Sequence, residues 1–329
     1  MPAAAATHSE LRDRQETRSE PTDLGSSVVA RCPLCHAIDF ARLRTPERWI
    51  GDRHFHRLRG ALGLVRCRGC SLVFTSPRPT QEHLRAFYDS DVYECHLTTP
   101  TTAAASKAAH VLGRVERYLP AEAPRTLLDY GAGGGTFLLD ARTLGWTGWA
   151  FEPGRRGLQS CRDAGLPATA TLDELPRSAF GLVTLNHVLE HIADPAAALA
   201  SLRPLLAPGG RVCVEVPNAG SLRARLARLV SAQGMDEAYR AFPIHLMYYT
   251  ARTLRHMLAH AGWTVEATFT MGVGLDELYL HEQPGPRPGA PGRVPRRARP
   301  SWRRFARDMF LSSGLGENLV AIARPLESS

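Results

Sequence analysis

An α/β fold is predicted for this 329-residue chain: a mostly parallel sheet with helices on both faces, preceded by a small metal-bearing unit. Three features predict it. Between Arg125 and Val216, short apolar strand-like runs alternate with helix-like segments, the pattern of a parallel sheet with crossover helices. A turn crowded with glycine, Gly131, Gly133, Gly134 and Gly135, joins the first of those strands to the first helix. Upstream stand two Cys-x-x-Cys pairs, Cys32/Cys35 and Cys67/Cys70, with 31 residues between them.

Residues 1–27 are expected to be a disordered tail, since Met1–Asp23 is polar, alternately charged and has no signal-peptide core. Residues 28–78 hold the cysteine pairs on knuckle-like turns, with short strands at 64–67 and 72–75 bracketing the second pair. A helical connector, 79–120, follows, with helices at 80–89 and 103–119 around a Thr/Pro-rich loop. The large unit is expected at 121–329. Its strands are read at 125–130, 147–152, 167–171, 180–186 and 211–216, with helices at 136–144, 155–164 and 195–206. Pro208-Gly209-Gly210 ends the last of these. Beyond Pro217 come a basic helix to about 232, irregular chain to Tyr249, a helix at 250–261 and a strand at 263–270. After a flexible Pro/Arg loop at 284–300, a helix at 301–311 and a strand at 318–324 complete the chain.

Composition excludes several classes. At 44% apolar content the chain is globular, and no apolar run approaches the roughly 20 residues a membrane span needs, so a cytoplasmic protein without membrane contact is expected. The net charge of +8 is local: residues 284–307 carry eight arginines and no acid, which leaves the remainder near neutral. The Pro/Gly spacing there reads as a solvated linker. A zinc protein that binds rRNA or another nucleic acid is the alternative from a different class, but no basic face interleaved with aromatics supports it.

The cysteine spacing fits a metal better than a disulfide in a cytosolic protein. Two pairs of thiolates from tight turns, Cys32, Cys35, Cys67 and Cys70, make the closed tetrahedral shell of a structural zinc site. With no open position, such a zinc holds the fold rather than performing chemistry.

The glycine turn lets a ligand approach the main chain. It lacks the third glycine of G-x-G-x-x-G and the Gly-Lys-Ser/Thr of a phosphate loop. Asp129, two residues before Gly131, sits poorly beside a pyrophosphate and well beside a cationic amino group, which points to S-adenosylmethionine rather than NAD or ATP. Asp129 and Gly131 are placed at the methionine part of that cofactor, and Gly133 and Gly134 at its back. Glu152, about 20 residues after the turn, is placed at the ribose hydroxyls; the plainer alternative is a surface acid before a proline. Leu172, after the third strand, and Asn186 and His187, at the tip of the fourth, complete the expected cofactor pocket. His187-x-x-Glu190-His191 also matches a zinc-protease pattern. The helix after it is too short and no third ligand is evident, so a catalytic metal is not expected there. His191 is read as a packing or supporting residue.

Phe242–Thr250 places His245, Tyr248 and Tyr249 on a loop at the open side of the sheet, before a helix that Thr250 caps. His245 is either a general base for the acceptor proton or a histidine bonded to backbone.

Together these residues resemble the class I S-adenosylmethionine-dependent methyltransferases. Asp129–Gly135 is similar to their first motif, Glu152 to their ribose-binding acid, and Asn186–His191 with Leu205–Gly210 and Val212–Pro217 to their fourth- and fifth-strand blocks. The resemblance covers about 105–325 and implies a Rossmann-like sheet of seven strands, with the last strand inserted antiparallel beside 263–270. The front end, Cys-Pro-Leu-Cys through Ser-Pro-Arg-Pro-Thr to Phe87-Tyr88, resembles the zinc-binding domain of bacterial methyltransferases from polysaccharide and natural-product pathways. Some of those methylate sugar carbon and carry His-x-His in the region of 245–249, where this chain has a single histidine. The resemblance therefore implies a small-molecule acceptor, free or carrier-linked. The expected reaction is O-methylation of a sugar or secondary-metabolite hydroxyl, with C-methylation of a nucleotide-linked keto-sugar as the alternative. His245 is the expected base, and Tyr248 or Tyr249 is expected to orient the acceptor.

Overall fold

The computed structural model describes residues 25–47, 49, 51–90, 102–230, 239, 241–272 and 314–326. The expected tail up to residue 24, the Thr/Pro-rich loop, the arginine segment and the helix at 301–311 lie outside the described residues.

The elements run in order: β1 (Ser26–Ser27), β2 (Phe40–Leu43), α1 (Asp52–Phe55), β3 (Leu64–Cys67), β4 (Val73–Thr75), β5 (Arg78–Pro79), α2 (Gln81–Tyr88) and α3 (Thr102–Val115). The large unit follows with β6 (Thr126–Tyr130), α4 (Thr136–Thr143), β7 (Thr147–Phe151), α5 (Arg155–Asp163), β8 (Ala168–Thr169), β9 (Phe180–Asn186), α6 (Pro195–Leu202) and β10 (Leu206–Pro217). It ends with α7 (Leu222–Val230), β11 (Met247–Tyr248), α8 (Ala251–His260), β12 (Trp263–Met271) and β13 (Asn318–Pro325).

Seven strands form one sheet in the order β12-β13-β10-β9-β6-β7-β8. Strands β6 to β10 pair in parallel, while β13 lies antiparallel between β10 and β12. This is the Rossmann-like sheet of seven strands that the resemblance implies, with the last strand inserted antiparallel beside β12. Parallel strands buried on both faces need continuous apolar runs, and β9, Phe-Gly-Leu-Val-Thr-Leu, is buried from Phe180 to Leu185. One face packs Val111, Leu112 and Val115 of α3 with Leu138 of α4 and Trp146. The other packs Leu199 and Leu202 of α6 with Leu254, Met257 and Leu258 of α8 and Trp263. The Trp263 indole N–H donates to the Leu199 carbonyl at 3.2 Å, so burial of that large ring leaves no orphaned donor.

Strand order reverses beside β6, which pairs with β7 on one side and β9 on the other. Crevices at the carboxyl ends of strands on either side of such a reversal are where open α/β sheets bind ligands.

Three elements differ from the reading of the sequence. The helix expected at 195–206 stops at Leu202 and passes through a single 3-10 turn, Arg203–Leu205. Pro204 lacks the N–H that another α-helical turn requires. Pro208-Gly209-Gly210, read as a helix terminator, lies instead within β10, at an irregularity between Leu206 and Arg211. Strand β8 is also two residues long rather than five, and Leu172 opens a 3-10 turn instead.

The front unit takes one of its strands from late in the chain. Strands β2, β3 and β4 form a meander completed by β11, which comes from the loop before α8, in the order β11-β4-β3-β2. Tyr248 pairs with Val73 and Met247 with Phe74.

Candidate active site

Strand β6 delivers Asp129 to the reversal point, where it is 3% exposed. Its Oδ1 accepts from Thr184 Oγ1 at 2.8 Å and from Asn186 Nδ2 at 3.1 Å, both on the neighbouring β9. Burial pushes the Asp129 carboxyl up to about 6, against the lowering effect of those two donors and of Lys107. A group in that state gains by meeting a cation, which restores the carboxylate. Asn186 Oδ1 is buried beside it with no hydrogen-bond partner, an acceptor that requires a donor. Carboxylate and orphaned acceptor together fit the ammonium of an amino-acid moiety, as S-adenosylmethionine carries.

The glycine turn is shaped by its backbone. Gly131 adopts φ 77°, and a side chain there would press a Cβ to 2.6 Å from Val188. Glu152, at the end of β7, accepts from the Gly133 N–H and the Gly154 N–H, each at 2.7 Å, which staples the turn to the next loop. Burial raises its carboxyl despite those two bonds. Each oxygen keeps a further lone pair, which is what a ribose diol requires. Gly133 and Gly134 lie half-buried between these groups. Leu172 packs against the core at the start of its 3-10 turn.

A second set of groups lies at the tips of β9 and β10. His187 holds φ 56°, a strained backbone for a non-glycine residue. Its Nε2 lies 3.1 Å from Glu215 Oε1, and its Nδ1 lies 3.5 Å from Glu190 Oε1. Burial lowers the imidazole, but these two carboxylates outweigh it and lift His187 to about 9, so it is cationic at neutral pH. Glu215 is buried on β10, held also by Asn318 Nδ2 at 2.9 Å and by Lys107 Nζ at 3.1 Å.

Glu190 is 1% exposed, and neither of its oxygens accepts a hydrogen bond of good geometry. Three imidazoles surround it: His187, His191 with Nε2 at 4.0 Å, and His245 with Nε2 at 3.9 Å. Burial raises the Glu190 carboxyl, yet these imidazoles prevail and hold it at about 2. His191 Nδ1 lies 3.0 Å from the Ile244 carbonyl and 2.9 Å from the Tyr88 hydroxyl. A carbonyl can only accept, so the His191 proton sits on Nδ1 and Nε2 carries the lone pair. Burial, opposed by Glu190, lowers His191 and keeps the ring neutral.

The third metal-ligand-type residue that the His-x-x-Glu-His stretch lacks in sequence is therefore present in space. Glu190, His191 and His245 offer ligand atoms within 4.8 Å of one another. The charge on Glu190 is nevertheless answered by the His187 imidazolium at 3.5 Å, which also repels a metal cation.

The aromatic pair after His245 is not on an open loop, as the sequence suggests. Tyr248 lies on β11, buried but at the wall of a cavity, and burial raises its phenol. Tyr249 is fully buried, raised by burial and by Glu190, and does not line that cavity. The cause is the pairing of β11 with β4, which carries both residues into the core. Thr250 caps α8 as expected, accepting from the Thr253 N–H.

The cavity, of about 320 Å³, is lined by His187, Asn218, Arg223, His245, Met247 and Tyr248, among others. It opens beside the imidazole cluster and not over the glycine turn. The Asp129–Asn186 set and the cavity therefore meet at neighbouring residues of the β9 tip, Asn186 and His187. Tyr88, Lys107 and Glu215 escaped the reading of the sequence. Only Glu215 leaves a signal there, as an acid inside the apolar run Val212–Val216.

In the front unit, Cys32 Sγ lies 3.5 Å from Cys70 Sγ, and Cys35 Sγ lies 3.5 Å from Cys67 Sγ. Four thiolates 2.3 Å from a tetrahedral zinc stand roughly 3.8 Å apart, so this set fits the ion with minor adjustment.

Residues 105–268 match the family described as "Methyltransferase domain". Over 135 residues the chain is 38% identical to trans-aconitate 2-methyltransferase of Methylobacterium radiotolerans, covering 39% of this chain and 50% of that protein. Over 131 residues it is 28% identical to the ubiquinone biosynthesis O-methyltransferase of Nitrosococcus oceani, covering 37% of this chain and 54% of that one. The chain thus spans about half the length of the curated relatives it matches. Among solved structures, a SAM-dependent methyltransferase from Archaeoglobus fulgidus superposes with a TM-score of 0.44 at 17% identity, covering 67% of this chain and 93% of that chain.

Proposed function

Residues 105–268 being a methyltransferase domain of the class I, S-adenosylmethionine-dependent kind, we infer that the protein transfers a methyl group from that cofactor to a hydroxyl of a small molecule, a sugar or secondary metabolite. The observation that carries this reading is the adjacency of two built sets. Asp129 and the orphaned Asn186 oxygen fit the cofactor's ammonium, and beside them three imidazoles ring the buried Glu190, two of which, His187 and His245, line a cavity. The curated relatives named above include an O-methyltransferase, which favours oxygen over carbon as the acceptor atom.

When bound, S-adenosylmethionine supplies a methyl group already activated on a sulfonium. The chain's own residues then have three tasks. Asp129, Asn186 and the turn at Gly131, Gly133 and Gly134 hold the amino-acid end, and Glu152 takes the ribose hydroxyls. His245, on the cavity wall, accepts the acceptor's proton, and Glu190 stabilises the imidazolium that forms. Tyr248, also on the wall, positions the acceptor; buried Tyr249 supports the loop from behind. The zinc in the four-cysteine set has a structural role, and the protein works in the cytoplasm.

Replacement His245→Ala tests the assignment. Methyl transfer to an acceptor found by a mass-shift screen should fall on the order of 10²- to 10⁴-fold, with S-adenosylmethionine binding retained. An unchanged rate removes His245 from the mechanism.

A further inference from the structure

The four-cysteine unit meets the acceptor side of the large unit at one residue. Thr75 ends β4, five residues beyond Cys70, and is fully buried. Its N–H donates to the Leu246 carbonyl at 3.0 Å, and its hydroxyl donates to the His245 carbonyl at 2.8 Å. The next two residues, Met247 and Tyr248, pair with Phe74 and Val73. From the opposite side, the Leu246 N–H donates to the Glu190 carbonyl at 2.8 Å. The peptide following His245 is thus gripped between the front unit and the turn that carries Glu190.

We propose that Thr75 is a positioning residue for His245, and that the cysteine-bearing hairpin β3–β4 is the lever that holds it. This rests on the reading of His245 as the base. The hairpin is closed at its far end by the Cys67 and Cys70 knuckle, where the Cys67 N–H donates to the Leu72 carbonyl at 2.9 Å. Ser71 turns the chain at φ 69°, and from Leu72, at about 3.3 Å per residue, the strand carries that anchor roughly 10 Å to Thr75. The hairpin, flanked by β2 and β11 in its sheet, transmits position over that length only if its far end is fixed. A metal on the four thiolates fixes it. Of the two bonds Thr75 makes to the loop, the backbone bond survives any side chain that keeps the strand. The hydroxyl bond belongs to threonine or serine alone, and it acts on the carbonyl of the proposed base itself.

Two substitutions separate positioning from folding. Thr75→Val keeps shape and β-branching and removes the donor, while Thr75→Ser keeps the donor. Full-length protein with ¹⁵N-labelled histidine is compared in each form, the His245 signals being identified by their loss in His245→Gln. In Thr75→Val the His245 ring signals should move, while metal content and S-adenosylmethionine affinity by calorimetry stay at the wild-type level. Thr75→Ser should restore the wild-type spectrum. Removing metal from the wild type with a chelator should move the same signals. With an acceptor in hand, kcat in Thr75→Val should drop about ten- to a hundred-fold with KM for the cofactor unchanged, the size expected of a slightly misplaced base. Unmoved His245 signals in Thr75→Val overturn the proposal, and so does loss of metal or of cofactor binding in that variant, which marks Thr75 as merely structural. These outcomes differ from failure of the base assignment itself, which shows as normal methyl transfer in His245→Ala.

Discussion

At Asp129, burial and hydrogen bonding set a titration that cofactor binding must feel. Burial lifts the free carboxyl to about 6, and an ammonium bound beside it would favour its charged form. Affinity for S-adenosylmethionine, measured by calorimetry, should therefore hold from pH 7 to 8 and fall as pH drops below about 6. Asp129→Asn should remove that dependence together with most of the binding. His187 gives the opposite signature, in stability. Its folded value of about 9 lies above the ordinary 6.5, so its contribution is fully present below pH 6.5 and is lost as pH rises through 9. Thermal unfolding of the wild type should show a falling midpoint across that window, and His187→Gln should flatten it. Asp129, Glu152 and His187 were legible as sequence because fixed spacing ties them to strand tips. Tyr88 was not, since it reaches His191 from 103 residues away through a contact that no local pattern encodes.

Among the elements, hydrophobic runs located the strands of the large sheet, and breakers misled where they sat inside one. Pro208-Gly209-Gly210 reads as punctuation, yet β10 runs through it. Gly210 permits this because a Cβ there would meet the Phe180 carbonyl oxygen at 2.8 Å. Strand β11 was illegible for a different reason. Two residues make a strand only when a partner edge is offered, and the edge comes from β4, more than 170 residues earlier. That pairing sets the front hairpin directly beside Met247 and Tyr248, which line the cavity. Cys67→Ser, which breaks the four-thiolate shell, should reduce bound zinc from one per chain to none and lower the thermal midpoint by several degrees, as loss of a structural metal does. Metal analysis and calorimetric unfolding of the same sample measure both. Retained zinc would mean that the ion is held elsewhere.

For the whole molecule, the order of the chain explains how one sheet presents two neighbouring clefts. The reversal between β7 and β9 around β6 opens the crevice beside Asp129, and β10 with β13 carries Glu215 and the Asn318 it holds to the neighbouring cavity, which Asn318 lines. Among the described residues, no helix is long and apolar enough to cross a membrane. The central claim is that the crevice at Asp129, Asn186 and Glu152 binds S-adenosylmethionine. Isothermal titration of the full chain with that cofactor, for the wild type and Asp129→Asn, tests it most directly. The account requires one site per chain with micromolar affinity in the wild type, weakened at least tenfold, about 1.4 kcal/mol, in the variant. No heat of binding in the wild type, or equal affinity in both proteins, would contradict it.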